Sequence, residues 1–159
     1  MKIIRTNRAM RTALGQNGIP EISELSLEGA NIFQDIISEG ILTENGCLLL
    51  KKNISLCNGV KINDFPDLTG YECYINKINV DDYLPTVDPK ELLQYSILLV
   101  RLLEEQLVKV DEKVKIVIGF QADDVITSSV RFHKVRSKES WLAADIEKYD
   151  ECILVAEIN

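Results

Sequence analysis

The chain has 159 residues, a net charge of −7 and a pI near 4.8. With 46% hydrophobic and 27% charged residues it has the composition of one globular domain rather than of a disordered chain. An acidic balance counts against sequence-independent nucleic-acid binding, because backbone phosphates repel it. The longest apolar run, Tyr95 to Val100, is far below the roughly 20 residues of a membrane-spanning helix.

In chain order, Ile3 and Ile4 start a short strand, and Arg5, Arg8 and Arg11 form a small basic patch. No apolar stretch follows MKIIRTNRAMR, so no secretory signal is expected there. Ser26 is placed to cap a helix over Leu27 to Ile37, with Ile32, Phe33, Ile36 and Ile37 on one side and Gly40 at its end. Asn45-Gly46 marks a turn before a short apolar strand, Cys47 to Leu50. Ile54 to Cys57 suggests a nearby strand, and residues 60–70 are rich in breakers and read as loop. Tyr71 to Val80 alternates: Tyr71, Cys73 and Ile75 face one way, Glu72, Tyr74 and Asn76 the other, as in a half-buried strand.

Asp88-Pro89-Lys90-Glu91 is a helix start, with an N-cap, a proline at the first helical position and an acid in the first turn. Leu92 to about Val108 follows as a helix apolar on more than one face, hence a central one. Lys113 to Gln121 is a β-branched strand, Ala122-Asp123-Asp124 a hairpin turn, and Val125 to about Val135 its partner. Ile126, Val130 and Phe132 lie on one face of that partner; Thr127, Arg131 and His133 lie on the other. Trp141, Leu142, Ile146 and Tyr149 suggest a short amphipathic helix, anchored to the sheet by Trp141, and Cys152 to Ile158 a last strand. The order implies an α+β single domain, residues 1–159, with a largely antiparallel sheet packed by a central long helix and shorter helices.

The four cysteines, Cys47, Cys57, Cys73 and Cys152, have no CxxC spacing, and one histidine cannot complete a Cys/His cluster, so neither a zinc site nor a disulfide framework is expected. Phosphate-loop, dinucleotide, HExxH and GxSxG signatures do not occur. An enzyme would have to be built on His133, with Glu139 or Asp145 as orienting carboxylate beside Arg131 and Arg136. A structural histidine is the simpler reading, and no catalytic residue, cofactor or metal is assigned. The acids are more suggestive. Residues 81–159 carry 10 Lys/Arg against 16 Asp/Glu, and adjacent acids recur at Asp81-Asp82, Glu104-Glu105, Asp123-Asp124 and Asp150-Glu151.

The stretch VRFHKVRSKESWLAADIEKYDECILVAEI, preceded by VKIVIGF, resembles the C-terminal part of immunity proteins of bacterial contact-dependent growth inhibition systems. The resembling pieces are Val130 to His133, Arg136, Glu139 to Leu142, the Asp145 to Tyr149 join and Ile153 to Val155, roughly the last quarter to third of the chain. The resemblance implies a cytoplasmic, non-enzymatic protein that covers a cognate toxin domain, commonly a basic C-terminal nuclease domain of a large secreted toxin, often one acting on transfer RNA. It implies no direct contact with nucleic acid or membrane. A surface of Asp81, Asp82, Asp123, Asp124, Glu139, Asp145 and Asp150 is the expected contact, because an acidic face matches a surface built to hold phosphates. An adaptor with another protein partner is the main alternative, distinguished by whether the gene lies beside a toxin reading frame.

Overall fold

The structure is a computed structural model, and it describes residues 2–20, 31–85 and 88–158. Ser26 and the first residues of the helix expected over 27–37 lie outside the described residues; within them the chain forms α2, Gln34–Ile37, after β1, Ile3–Thr6, and α1, Arg8–Leu14. β2, Ile41–Glu44, and β3, Cys47–Leu50, form a two-stranded hairpin through Asn45-Gly46, both at positive φ. The main sheet has the order β1-β7-β5-β6-β4, with every neighbour antiparallel, where β4 is Ile78–Asn79, β5 Val114–Ala122, β6 Ile126–Lys134 and β7 Cys152–Ile158. The α+β expectation is met.

The long helix α5, Pro89–Leu107, begins as its sequence dictates: the Asp88 carboxylate accepts from the Glu91 N–H at 2.8 Å, and Pro89 occupies the first turn. It buries Leu92, Leu99, Leu103 and Leu107 at 1% exposure or less. These pack on the sheet's inner face with Ile116, Ile118, Val130, Phe132, Leu154 and Ala156. The period of two also fixes the outer face, where Val117, Ile153 and Val155 are covered by Ile146, Leu142 and Tyr149.

Three expectations are corrected. Tyr71–Val80 is not one strand; only Ile78–Asn79, β4, is extended, and Leu68–Ile75 is a helix, α4, capped by Asp67, whose carboxylate accepts from the Gly70 N–H. It begins inside the stretch read as loop, which also holds a 3-10 turn, Ile62–Asp64. Its buried stripe is Thr69, Glu72, Cys73 and Asn76, all at 1% exposure or less. That is helical i, i+3, i+4, i+7 spacing carried by polar residues, so the apolar pattern alone points to a strand.

Ile54–Cys57 is not a strand either, because Lys51–Leu56 forms helix α3 directly after β3. Asn53 explains the turn inward: its side-chain amide donates to the Ile75 and Lys77 carbonyls at the end of α4.

Residues 141–149 form no α-helix, only a 3-10 turn at Ile146–Lys148 capped by Asp145. Local side-chain bonds take the backbone groups a helix needs: Ser140 Oγ donates to the Leu142 carbonyl, and the Ala143 N–H donates to Tyr149 Oη. Trp141 therefore anchors no helix. It is 39% exposed and stacks on the Arg131 guanidinium, 4.8 Å from the ring centre.

Candidate functional site

Two polar regions stand out, at opposite ends of the main sheet. The first is buried. Glu72 is fully enclosed, and its carboxylate accepts from the Leu48 N–H at 2.6 Å, the Lys134 N–H at 2.9 Å and both terminal nitrogens of Arg136 at 2.7 and 3.1 Å. One turn later Asn76 accepts from the Leu50 N–H and donates to the Leu48 and Phe132 carbonyls. Glu72 and Asn76 thus stand in for a strand between β3 and β6, joining the small hairpin to the main sheet through side chains. Arg136 also donates to the Gly46 carbonyl and to Thr69 Oγ1. All carboxylate sites are filled from within the chain, so this is a structural knot.

Glu139 belongs to this knot. It accepts from the Thr69 N–H and hydroxyl and lies 3.8 Å from Arg136. Asp145 is spent on capping the turn after it. Neither carboxylate is bonded to His133, which is 3% exposed and whose Nδ1 lies 2.9 Å from the Lys134 carbonyl oxygen. Burial pushes its imidazole below the ordinary value. The constellation drawn around the single histidine is therefore not assembled as one site. Among the described residues no group of three or more His, Cys, Asp or Glu side chains is placed to hold a metal. The four cysteines are free thiols; burial pushes Cys73 up to about 12, so it stays protonated.

The second region is the end of the sheet that carries the β5–β6 turn. Register places the acids there. Ala122 pairs with Ile126, leaving Asp123 and Asp124 at the turn. Cys152 pairs with Phe120, so Asp150 and Glu151 precede β7 at the same end. Asn79 pairs with Ser129, which carries Asp81 and Asp82 to the same end; Asp81 accepts from the Ser128 N–H at 2.9 Å. Five of the seven expected acids are thus collected, and Glu139 and Asp145 are elsewhere. Asp82, Asp123, Asp124 and Asp150 are exposed and form no ion pair among the described residues. Val125, 64% exposed, follows Asp124 in the turn, and Tyr83, next to Asp82, is 36% exposed with its ring against Phe33. At the other end Lys134 pairs with Glu112 and Lys115 with Glu157, so charge there is balanced.

Beside the acidic turn lies a groove of about 520 Å³ between α1 and the start of β7. Among the described residues it is lined by Ala9 and Ala13 of α1, by Phe120 and Cys152, and by Asp123, Glu147, Asp150 and Glu151, with Arg8 as the one cation. Glu147 accepts from the Arg8 N–H and pairs with Arg11 at 2.9 Å. The Glu151 carbonyl accepts from Asn7 Nδ2 at 2.8 Å, and its half-buried carboxylate lies over Gly119 on the outer face, where a Cβ would come 2.5 Å from its Oε1, in a hollow shared with Arg131 and Trp141. Burial pushes its carboxyl up, with Arg131 and Lys77 pulling it down. Glu147 and Glu151 were not singled out by sequence. Glu151 was visible only as one half of an acid pair, and nothing in the sequence marks Ala9 and Ala13 as a wall.

Fold and site define a class: a small α+β domain that has, among its described residues, one acidic, partly apolar end and one charge-balanced end. The chain belongs to the uncharacterized protein PM0498 family, whose sequence profile matches residues 5–159. It is similar to uncharacterized protein PM0498 of Pasteurella multocida (strain Pm70), at 35% identity over 86% of this chain and 94% of that protein. No solved structure matches.

Proposed function

We propose that this chain is a cytoplasmic immunity protein, a stoichiometric inhibitor that binds a cognate basic toxin domain and covers its active site or a surface it needs. The observation that carries this reading is the gathering of Asp81, Asp82, Asp123, Asp124 and Asp150 at one end of the sheet by strand register. Exposed carboxylates gathered at one end of a sheet raise a negative potential that speeds encounter with a cationic partner. Affinity then needs a few apolar or aromatic anchors within the charged surround, and Val125 is exposed in that position. A toxin domain that holds nucleic-acid phosphates carries the complementary charge. No helix among the described residues is long and apolar enough to cross a membrane.

The test is to express this chain with the toxin domain encoded by the neighbouring reading frame. Rescue of growth and co-purification in a fixed ratio are expected. Cells that die despite full expression of the chain, with no complex recovered, would reject the reading.

A further inference from the structure

The hollow on the outer face of the main sheet has a volume of about 190 Å³. Val117, Gly119 and Ile153 line it from the strands, and Trp141 and Tyr149 from the segment that covers them. Its two charged residues are Arg131 and Glu151. Gly119 makes room for the second, since a Cβ there would meet Glu151 Oε1 at 2.5 Å. The Arg131 guanidinium rests on the Trp141 ring, and one terminal nitrogen donates to Ser129 Oγ at 3.1 Å. Its other two nitrogens and both Glu151 carboxylate oxygens have no hydrogen-bond or ion-pair partner among the described residues, and none of them is sealed from solvent. The two charges share one small space without pairing to each other. Burial pushes the Arg131 guanidinium down and the Glu151 carboxyl up, so each is a charge short of compensation.

We infer that this hollow binds a small zwitterionic α-amino acid, with its carboxylate on Arg131 and its ammonium on Glu151. The donor and acceptor inventory selects that guest. Arg131 offers only N–H donors and ionised Glu151 only acceptors, so the guest must accept at one end and donate at the other. A simple anion would pair with Arg131 but be repelled by Glu151, and a simple cation the reverse. A zwitterion gives each charge its counter-charge, through the charge-assisted hydrogen bonds that are stronger than neutral ones. A bridging water would touch both groups and neutralise neither. The volume is below the roughly 300–1,000 Å³ of sites for drug-sized ligands, so the guest has few heavy atoms. Val117 and Ile153 offer an apolar surface to its carbon atoms. Tyr149 Oη accepts from the Ala143 N–H, which ties the covering segment in place over the sheet. The inference goes beyond the proposed function and does not depend on it.

The experiment titrates the full chain with glycine and with alanine, and with acetate and methylammonium as the two halves of the guest. Binding is followed by calorimetry and by the emission of Trp141, the only tryptophan and itself a wall of the hollow. Two variants are run alongside. Glu151→Gln removes the negative charge. Gly119→Ala keeps both charges and displaces the carboxylate by the contact described above. Circular dichroism and urea unfolding establish that each variant is folded. Glycine or alanine is expected to bind saturably and to change the Trp141 emission. Each half is expected to bind about tenfold or more weakly, and both variants to lose about tenfold or more in affinity. No saturable binding of either amino acid would overturn the inference and leave the hollow to a bridging water. So would halves that bind as well as the whole, or undiminished binding by either folded variant. Neither result touches the immunity reading, which is decided by growth rescue and co-purification with the neighbouring toxin domain.

Discussion

Glu72 is the residue on which most of the buried polar structure turns. It is a fully enclosed carboxylate holding four N–H donors from three residues, Leu48, Lys134 and Arg136. Removing one partner of a buried pair leaves the other charge unsatisfied, so Glu72→Ala is expected to cost about 3–5 kcal/mol in urea unfolding. Arg136→Met with Glu72→Met together should cost markedly less than the sum of the single changes, since the two charges disappear at once.

His133 offers a cleaner pH signature because it is the only histidine. Burial lowers its folded value below the ordinary 6.5, so the unfolded chain binds the proton first. Its contribution is present above 6.5 and is lost as pH falls from there through the lower folded value. Unfolding of His133→Gln, followed over about pH 5 to 8, should lack that part of the acid limb; an identical limb would show the imidazole to be unperturbed.

Glu151 acts in the opposite sense. Its raised carboxyl favours the folded state fully below the ordinary 4.5, and that advantage is lost as pH rises through the folded value. Glu151→Gln is therefore expected to raise the urea midpoint at neutral pH.

At the scale of elements, α5 and the β5–β6 hairpin were legible in the sequence because their apolar periods agree with their caps and turns. Asp88, Pro89 and Glu91 define the start of α5, and Asp88→Ala should lower stability by about 1 kcal/mol. α4 was not legible, for a physical reason. Thr69, Glu72, Cys73 and Asn76 repeat at helical spacing, yet three of them are polar, so an argument from hydrophobic burial assigns them no face. What buries them is the free edges of β3 and β6, whose N–H and C=O groups need partners. Those edges are formed by residues more than twenty positions away on either side, a non-local demand that no window of sequence displays. Asn53 in α3 follows the same rule, serving the end of α4. The segment after Ser140 was misread for the converse reason: an apolar period suited a helix, but side-chain bonds from Ser140 and Tyr149 had already taken its backbone groups.

For the whole molecule, the sign of the charge was legible and its placement only partly so. Acid pairs at Asp81-Asp82, Asp123-Asp124 and Asp150-Glu151 come together because three separate strands begin or end at the same edge of the sheet. Glu139, equally acidic in sequence, is drawn instead into the knot around Arg136 at the opposite end. The consequence, among the described residues, is one end with four exposed aspartates in no ion pair, which supports the proposed inhibitor, one that recruits its partner by long-range attraction and holds it by short-range packing. Screening weakens such attraction over a Debye length of about 8 Å at physiological salt. The most direct measurement is the association rate of the neighbouring toxin domain with the wild type and with Asp123→Lys/Asp124→Lys, across a range of salt concentrations. We expect the wild-type rate to fall steeply with salt, and the variant to associate about tenfold or more slowly at low salt with a much flatter dependence. Equal rates and equal salt slopes for the two proteins would contradict the claim that the acidic end is the docking surface.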